Sequence, residues 1–152
     1  MQLSQHFTLE EFTKSQTGER LGIDNMPGAS ALDNIMVLCA RVLEPVRAQF
    51  GPVFINSGYR GPELNKAVGG VATSQHCLGQ AADIEVVAAN GDLAAWIAEN
   101  LDYDQVILEC YRKGQPNSGW VHVSYKTSGN RKITLTATVV AGRMIYNPGL
   151  RI

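Results

Sequence analysis

Between Leu32 and Phe50 apolar residues recur at steps of three, four and seven. Beyond Gly51 that rhythm gives way to short β-forming runs broken by glycine and proline. The first pattern puts one apolar stripe on a helix, and the second sends alternate side chains to opposite faces of a sheet. Leu32, Ile35, Met36, Cys39, Leu43, Val46 and Phe50 form the stripe, which predicts a helix from about Ser30 to Phe50. Pro45 lies inside it and predicts a kink. Gly51 and Pro52 end it, and Thr8 with Glu10 and Glu11 predicts a short capped helix ahead of it.

The second half reads as strands with helices between them. Strands are expected at Val53 to Asn56, Ala82 to Val87 and Gln105 to Glu109, with helices from Pro62 to about Val68 and from Asp92 to Leu101. Trp120 to Lys126 and Lys132 to Val140 read as an antiparallel pair joined by the Ser128-Gly129-Asn130 turn. Helices gather early and strands late, so the expected class is α+β, with N-terminal helices packed on a mainly antiparallel sheet.

At 152 residues the chain fits a single domain, 1–152. With 45% hydrophobic and 18% charged residues it can bury a core without help from a metal or disulfides. Cys39, Cys77 and Cys110 are too scattered for a metal knuckle or a disulfide scaffold. A net charge of -1 gives no reason to expect nucleic acid or an anionic membrane as partner. No segment approaches the roughly 20 apolar residues needed to span a bilayer. The MQLSQHFTLEEF start lacks a basic run before an apolar stretch, so synthesis in the cytoplasm without a signal peptide is expected. The expected state is a monomer.

Of three histidines, His6, His76 and His122, two lie in the strand-rich half beside acidic residues. His76 and Asp83 are seven apart with Gly79 between them, so a loop can return both side chains to one point. In Trp120 to Ser124 alternation puts Trp120, His122 and Ser124 on one face and Val121 and Val123 on the other. A core on the valine face sends His122 to the opposite side. Two imidazoles and one carboxylate form a three-ligand set that leaves a fourth tetrahedral position open, as in catalytic zinc sites. Other divalent ions also suit such ligands. Singly, none of the three residues would be picked out; the combination carries the reading.

The strings SxHxxGxAxD at Ser74 to Asp83 and WxHxS at Trp120 to Ser124 resemble the zinc D-Ala-D-Ala carboxypeptidases and L-alanyl-D-glutamate endopeptidases, phage lysis peptidases included. The resemblance extends to Ser57-Gly58-Tyr59-Arg60, Glu63-Leu64-Asn65, Gly69-Gly70 and the HFTLEEF start. It implies His76, Asp83 and His122 as zinc ligands and a peptide of bacterial peptidoglycan as substrate. It also implies Arg60 as the group that clasps a substrate carboxylate, for which a guanidinium fork is well shaped. Ser74 is expected to orient a ligand or the substrate by hydrogen bond. Trp120 and Tyr59 are candidates for the pocket or the core. Cys77 adjoins a ligand but points elsewhere on this reading, and His6 is a surface or staple residue.

Many relatives carry a catalytic carboxylate three residues before the last histidine, where this chain has Gly119. Glu109 is the expected substitute. It ends an apolar strand that would run beside Trp120 to Lys126, about 4.8 Å away. Hedgehog signalling domains, similar around their zinc, also place a glutamate after a hydrophobic strand. Glu85, on the face of Asp83, is the rival base, whereas Asp102 and Asp104 read as turn residues. A phage or prophage product, released through a membrane pore or carried on a virion, fits the leaderless start. Two other functions compete, a zinc module that binds peptide without cutting it and a phage structural component.

Overall fold

A computed structural model describes residues 1–152. The chain order is α1 (Leu9–Thr13), α2 (Gln16–Leu21), α3 (Ala29–Leu38), a π-helical turn (Cys39–Leu43) and α4 (Glu44–Phe50). There follow β1 (Phe54–Ser57), α5 (Pro62–Ala67), a 3-10 turn (Gln75–Leu78), β2 (Ala81–Glu85) and α6 (Asn90–Asn100). The remainder is β3 (Gln105–Glu109), β4 (Trp120–Ser124), β5 (Ile133–Val140) and β6 (Arg143–Pro148). The class is α+β. At the start of α1 the Glu11 side chain accepts the Thr8 backbone N–H at 3.0 Å, the cap expected there.

The apolar stripe folds as one continuous rod from α3 through the π turn into α4. Pro45 has no N–H for the fourth carbonyl back, and its ring crowds that carbonyl. The wider turn just before it absorbs the misfit, with the Glu44 N–H reaching the Cys39 carbonyl. The expected kink is thus a change of helical pitch. It also changes which residues are buried. Ile35, Leu38, Cys39, Val42, Leu43 and Val46 are fully buried, while Met36, expected in the stripe, stays exposed. All three cysteines are free thiols, and no helix is long and apolar enough to cross a membrane.

The six strands form one sheet in the order β1-β2-β4-β3-β5-β6, antiparallel throughout except for the parallel pair β3 and β5. Here the expected hairpin between Trp120 to Lys126 and Lys132 to Val140 is not formed. Both edges of β4 are taken, by β2 and by β3, so β5 has no free edge there and pairs on the far side of β3. Asp104, expected only to make a turn, guides that crossing. Its fully buried carboxylate accepts the Arg131 guanidinium at 3.0 and 2.7 Å and the Arg131 backbone N–H at 3.0 Å. The chain is then carried past the start of β3, where the Ile133 N–H reaches the Asp104 carbonyl. β6, beyond the strands read from the sequence, returns through Ala141 and Gly142, both at positive φ as a two-residue hairpin turn requires.

One face of the sheet meets the helices. Val106 and Leu108, Val121 and Val123, and Ala82 and Ile84 join α3, the π turn and α6 in a single core. The intervening residues of the same strands therefore share the other face, and this is where the polar groups collect.

The Arg131 guanidinium holds the Asp104 carboxyl down at about 2, against an ordinary 3.8. A carboxyl depressed on folding adds stability at pH values above 3.8 and loses it as pH falls toward 2. Arg131 is half exposed, so solvent screens the pair. Asp104→Asn is expected to lower unfolding free energy at pH 7 by about 1–2 kcal/mol. In denaturant titrations the gap to the parent should close between pH 4 and 2.

Candidate metal centre

β2 and β4 pair so that Asp83 stands directly across from His122. His122 Nδ1 faces Asp83 Oδ1 at 3.1 Å. His76 arrives from outside the sheet on the 3-10 turn. The Ser74 hydroxyl caps that turn by accepting the His76 N–H at 3.2 Å. Gly79 closes it at φ 73, where a Cβ would strike the Ala31 carbonyl of α3, so the position requires glycine. The Gln75 amide donates to Asp104 at 3.0 Å, tying the turn to the anchor that directs β5.

The orientation of the His76 ring has a definite cause. Its Nδ1–H donates to the Gly58 carbonyl at 2.7 Å, which fixes the tautomer and leaves Nε2 facing Asp83 Oδ1 at 3.4 Å. Gly58 in turn lies against α1, where a Cβ would come within 2.7 Å of Phe12 Cα. The Tyr59 N–H donates to the Phe12 carbonyl at 2.8 Å. Buried Asn25 donates to the Tyr59 carbonyl and accepts the Gly61 N–H. The Ser57 to Gly61 segment is thus a clamp for the histidine ring.

His76, Asp83 and His122 are all buried, and one donor atom from each lies within 4.8 Å of the others. Burial works to raise the Asp83 carboxyl, but hydrogen bonds from His122 and His76 outweigh it and hold the group below the usual carboxylate range. An anionic carboxylate and two imidazoles, one with its tautomer already set, suit zinc. Cys77 is outside the cluster. His6 is remote from it and pairs with Glu44 at 2.7 Å.

The six remaining candidates occupy different positions. Glu109, opposite Trp120 on β4, brings Oε1 to 3.9 Å from His122 Nδ1. Burial, then the nearby Asp83 charge, pushes its carboxyl up, the direction expected for a proton acceptor working near neutrality. Glu85 is held by the amides of Asn56 and Asn90, and it does not line the cavity around the three ligands. Arg60 and Ser74 do line that cavity, of about 560 Å³, with Nη2 of the arginine 3.5 Å from the serine hydroxyl. No carboxylate of the chain pairs with Arg60, and its Nε is buried without a partner. Trp120 lines the cavity, whereas Tyr59 packs into the core.

Gly119 has a physical explanation. It sits at φ 66, and a Cβ there would collide with the Glu109 carbonyl. No carboxylate-bearing side chain fits at this position while β3 ends as it does. Tyr146 and Arg131 also line the cavity; Arg131 lies in the connection read from the sequence as a hairpin turn, and Tyr146 on β6, the strand that the sequence reading did not include.

A buried His-Asp-His set with an open side, next to a carboxylate in a cavity on an α+β sheet, describes a hydrolytic metal centre. The family model described as Peptidase M15 matches residues 5–124, and the chain belongs to that family. The matched stretch holds His76, Asp83, Glu109 and His122, and it ends before β5. At family level this is a zinc peptidase of peptidoglycan peptides. A search of curated proteins gives no match.

Zinc content measured on purified protein should be about one per chain, and His76→Ala, Asp83→Ala or His122→Ala should each abolish stoichiometric binding. Because the core is built without these residues, chelated protein should keep its circular dichroism and melt at a lower temperature. Unfolding in chelator would mark the site as structural.

Proposed function

We propose that this chain hydrolyses a peptide bond of peptidoglycan stem peptides, as a D,D-carboxypeptidase or an L-Ala-D-Glu endopeptidase. On this reading residues 1–152 are one zinc peptidase domain. His76, Asp83 and His122 hold the ion, Glu109 is the general base, and Arg60 and Ser74 bind substrate. The resemblance to phage lysis peptidases supports a lytic role in a phage or prophage.

Zinc in a three-ligand site polarises a carbonyl as a Lewis acid and brings the pKa of water to about 7. Glu109 takes the proton from the attacking water and returns it to the departing amine as the C–N bond breaks. A carbon–oxygen bond replaces it, giving a carboxylate and an amine. Arg60 meets the peptide as an unpaired guanidinium, so a substrate carboxylate can use both arms of its fork. Ser74 supports that side chain and caps the His76 turn, coupling substrate and ligand placement.

One observation carries the proposal, the Glu109 carboxylate 3.9 Å from His122 within the cavity that holds all three ligands. A desolvated carboxylate beside the three metal-binding donors is the group a hydrolase needs to move the proton of its water. Mass spectrometry of muropeptides after digestion tests the reading and names the bond.

Glu109→Gln keeps shape but cannot accept a proton. Turnover should fall by ~10²–10⁴-fold with zinc content unchanged, while Glu85→Gln should leave turnover within a few-fold. An active Glu109→Gln beside a dead Glu85→Gln would reverse the roles.

Arg60→Ala should raise KM by about tenfold or more with zinc retained, since hydrogen bonds to charged groups contribute roughly 1.5–3 kcal/mol. Arg60→Lys should recover little, lacking the fork. Unchanged kinetics in Arg60→Ala would remove it from the site.

A further inference from the structure

The cavity has a far wall that neither the motifs nor the family match covers. Sheet register defines it. Trp120 pairs with Glu109, Glu109 with Ala137, and Ala137 with Tyr146, so these four form one row across β4, β3, β5 and β6. Residues in register across a sheet present side chains to the same face, here the face of the metal centre. Ala137 offers only a methyl, fully buried, so no bulky side chain separates Glu109 from Tyr146. Tyr146 lines the same cavity as Glu109 and His122, yet it is 52% exposed and its hydroxyl has no hydrogen-bond partner in the chain. Partial burial, then the charges of Glu109, Cys110 and Asp83, raises its pKa, so the phenol remains a donor at neutral pH.

We propose that Tyr146 positions the substrate, holding the part of the peptide on the amino side of the scissile bond, across the metal centre from Arg60. This deepens the peptidase reading above and rests on it. Across the sheet, Arg60 follows β1 at one edge, and β6 forms the other edge. The ligands on β2 and β4, and Glu109 on β3, lie between them. A carboxylate gripped by Arg60 orients the chain so that its amino side runs over Glu109 toward Tyr146. Strands are about 4.8 Å apart, so the backbones of β4, which carries His122, and β6 lie roughly 14 Å apart. The Tyr146 side chain covers part of that distance within the cavity it shares with His122, so a substrate must extend beyond the cut bond on its amino side, by further residues or by an attached sugar, to meet it. Tyr146 then discriminates by length on the amino side, through a hydroxyl aimed at backbone carbonyls and a ring available for packing.

The test uses zinc-loaded Glu109→Gln protein as a non-cleaving binder. Its probes are the muropeptide that the parent cuts, sugar included, and the same molecule trimmed to a single amino acid on the amino side of the cut bond. Adding Tyr146→Phe should weaken binding of the long peptide by about three- to tenfold, the worth of one hydrogen bond. The trimmed peptide should bind as before, whereas Arg60→Ala should weaken both. In the otherwise unaltered enzyme Tyr146→Phe should raise KM for the long peptide with kcat within twofold. Equal effects on both lengths, or none on either, would overturn the assignment of Tyr146 and leave the peptidase reading intact. Failure of the parent to cut or bind any stem peptide would overturn both.

Discussion

The pairing of β2 with β4 puts Asp83 opposite His122, and the centre depends on that register. A slip of one residue in either strand would turn its ligand candidate, Asp83 or His122, into the core and its apolar residues toward the cavity. The apolar face guards against this. Ala82, Ile84, Val121 and Val123 are fully buried among the helices, so a slip of either strand would bury a polar group without its partner and expose two apolar ones. Hydrophobic burial under the sheet therefore sets the geometry of the polar groups above it. Only His76 is placed by other means, through the Gly58 carbonyl, and that segment is itself pinned to α1 and to Asn25.

Glu109 shows how one backbone conformation can decide which strand supplies a carboxylate. β3 ends at Glu109, followed by Cys110 at φ 53, and the incoming chain at Gly119 passes directly over the Glu109 carbonyl. Tight passage leaves position 119 without space for a side chain. The same passage holds the end of β3 against the start of β4 and aims Glu109 at the cavity. The carboxylate absent from one strand and that present on its neighbour are consequences of a single close approach.

Much of this was legible because the decisive signals are local. Alternation in Trp120 to Ser124 separates His122 from its flanking valines without reference to any other segment, and Gln105 to Glu109 reads as a strand on the same grounds. Gly79 marks the loop that returns Asp83 toward His76. What escaped depends on distant partners. The Ser128-Gly129-Asn130 turn looks like a hairpin, and only the Asp104 grip on Arg131, 27 residues away, shows that the chain crosses β3 instead. Similarly, the buried face of the long helix follows a π turn that three-and-four spacing does not anticipate, so Leu38 and Val42 are inside and Met36 is out. β6 lacks the Asn-Gly signature that would announce its turn.

Because β5 joins the sheet beside β3 and not beside β4, β5 and β6 lie outboard of Asp83, His122 and Glu109. The candidate metal centre and the far wall of the cavity therefore occupy separate stretches of chain, joined through backbone pairing and one ion pair buried only on its Asp104 side. Such a division lets lineages remodel the wall by insertion, deletion or recombination while the hydrolytic centre stays as it is. Enzymes built this way can acquire new substrate preferences by exchanging a terminal hairpin, a route closed to folds whose selectivity and catalysis share the same loops.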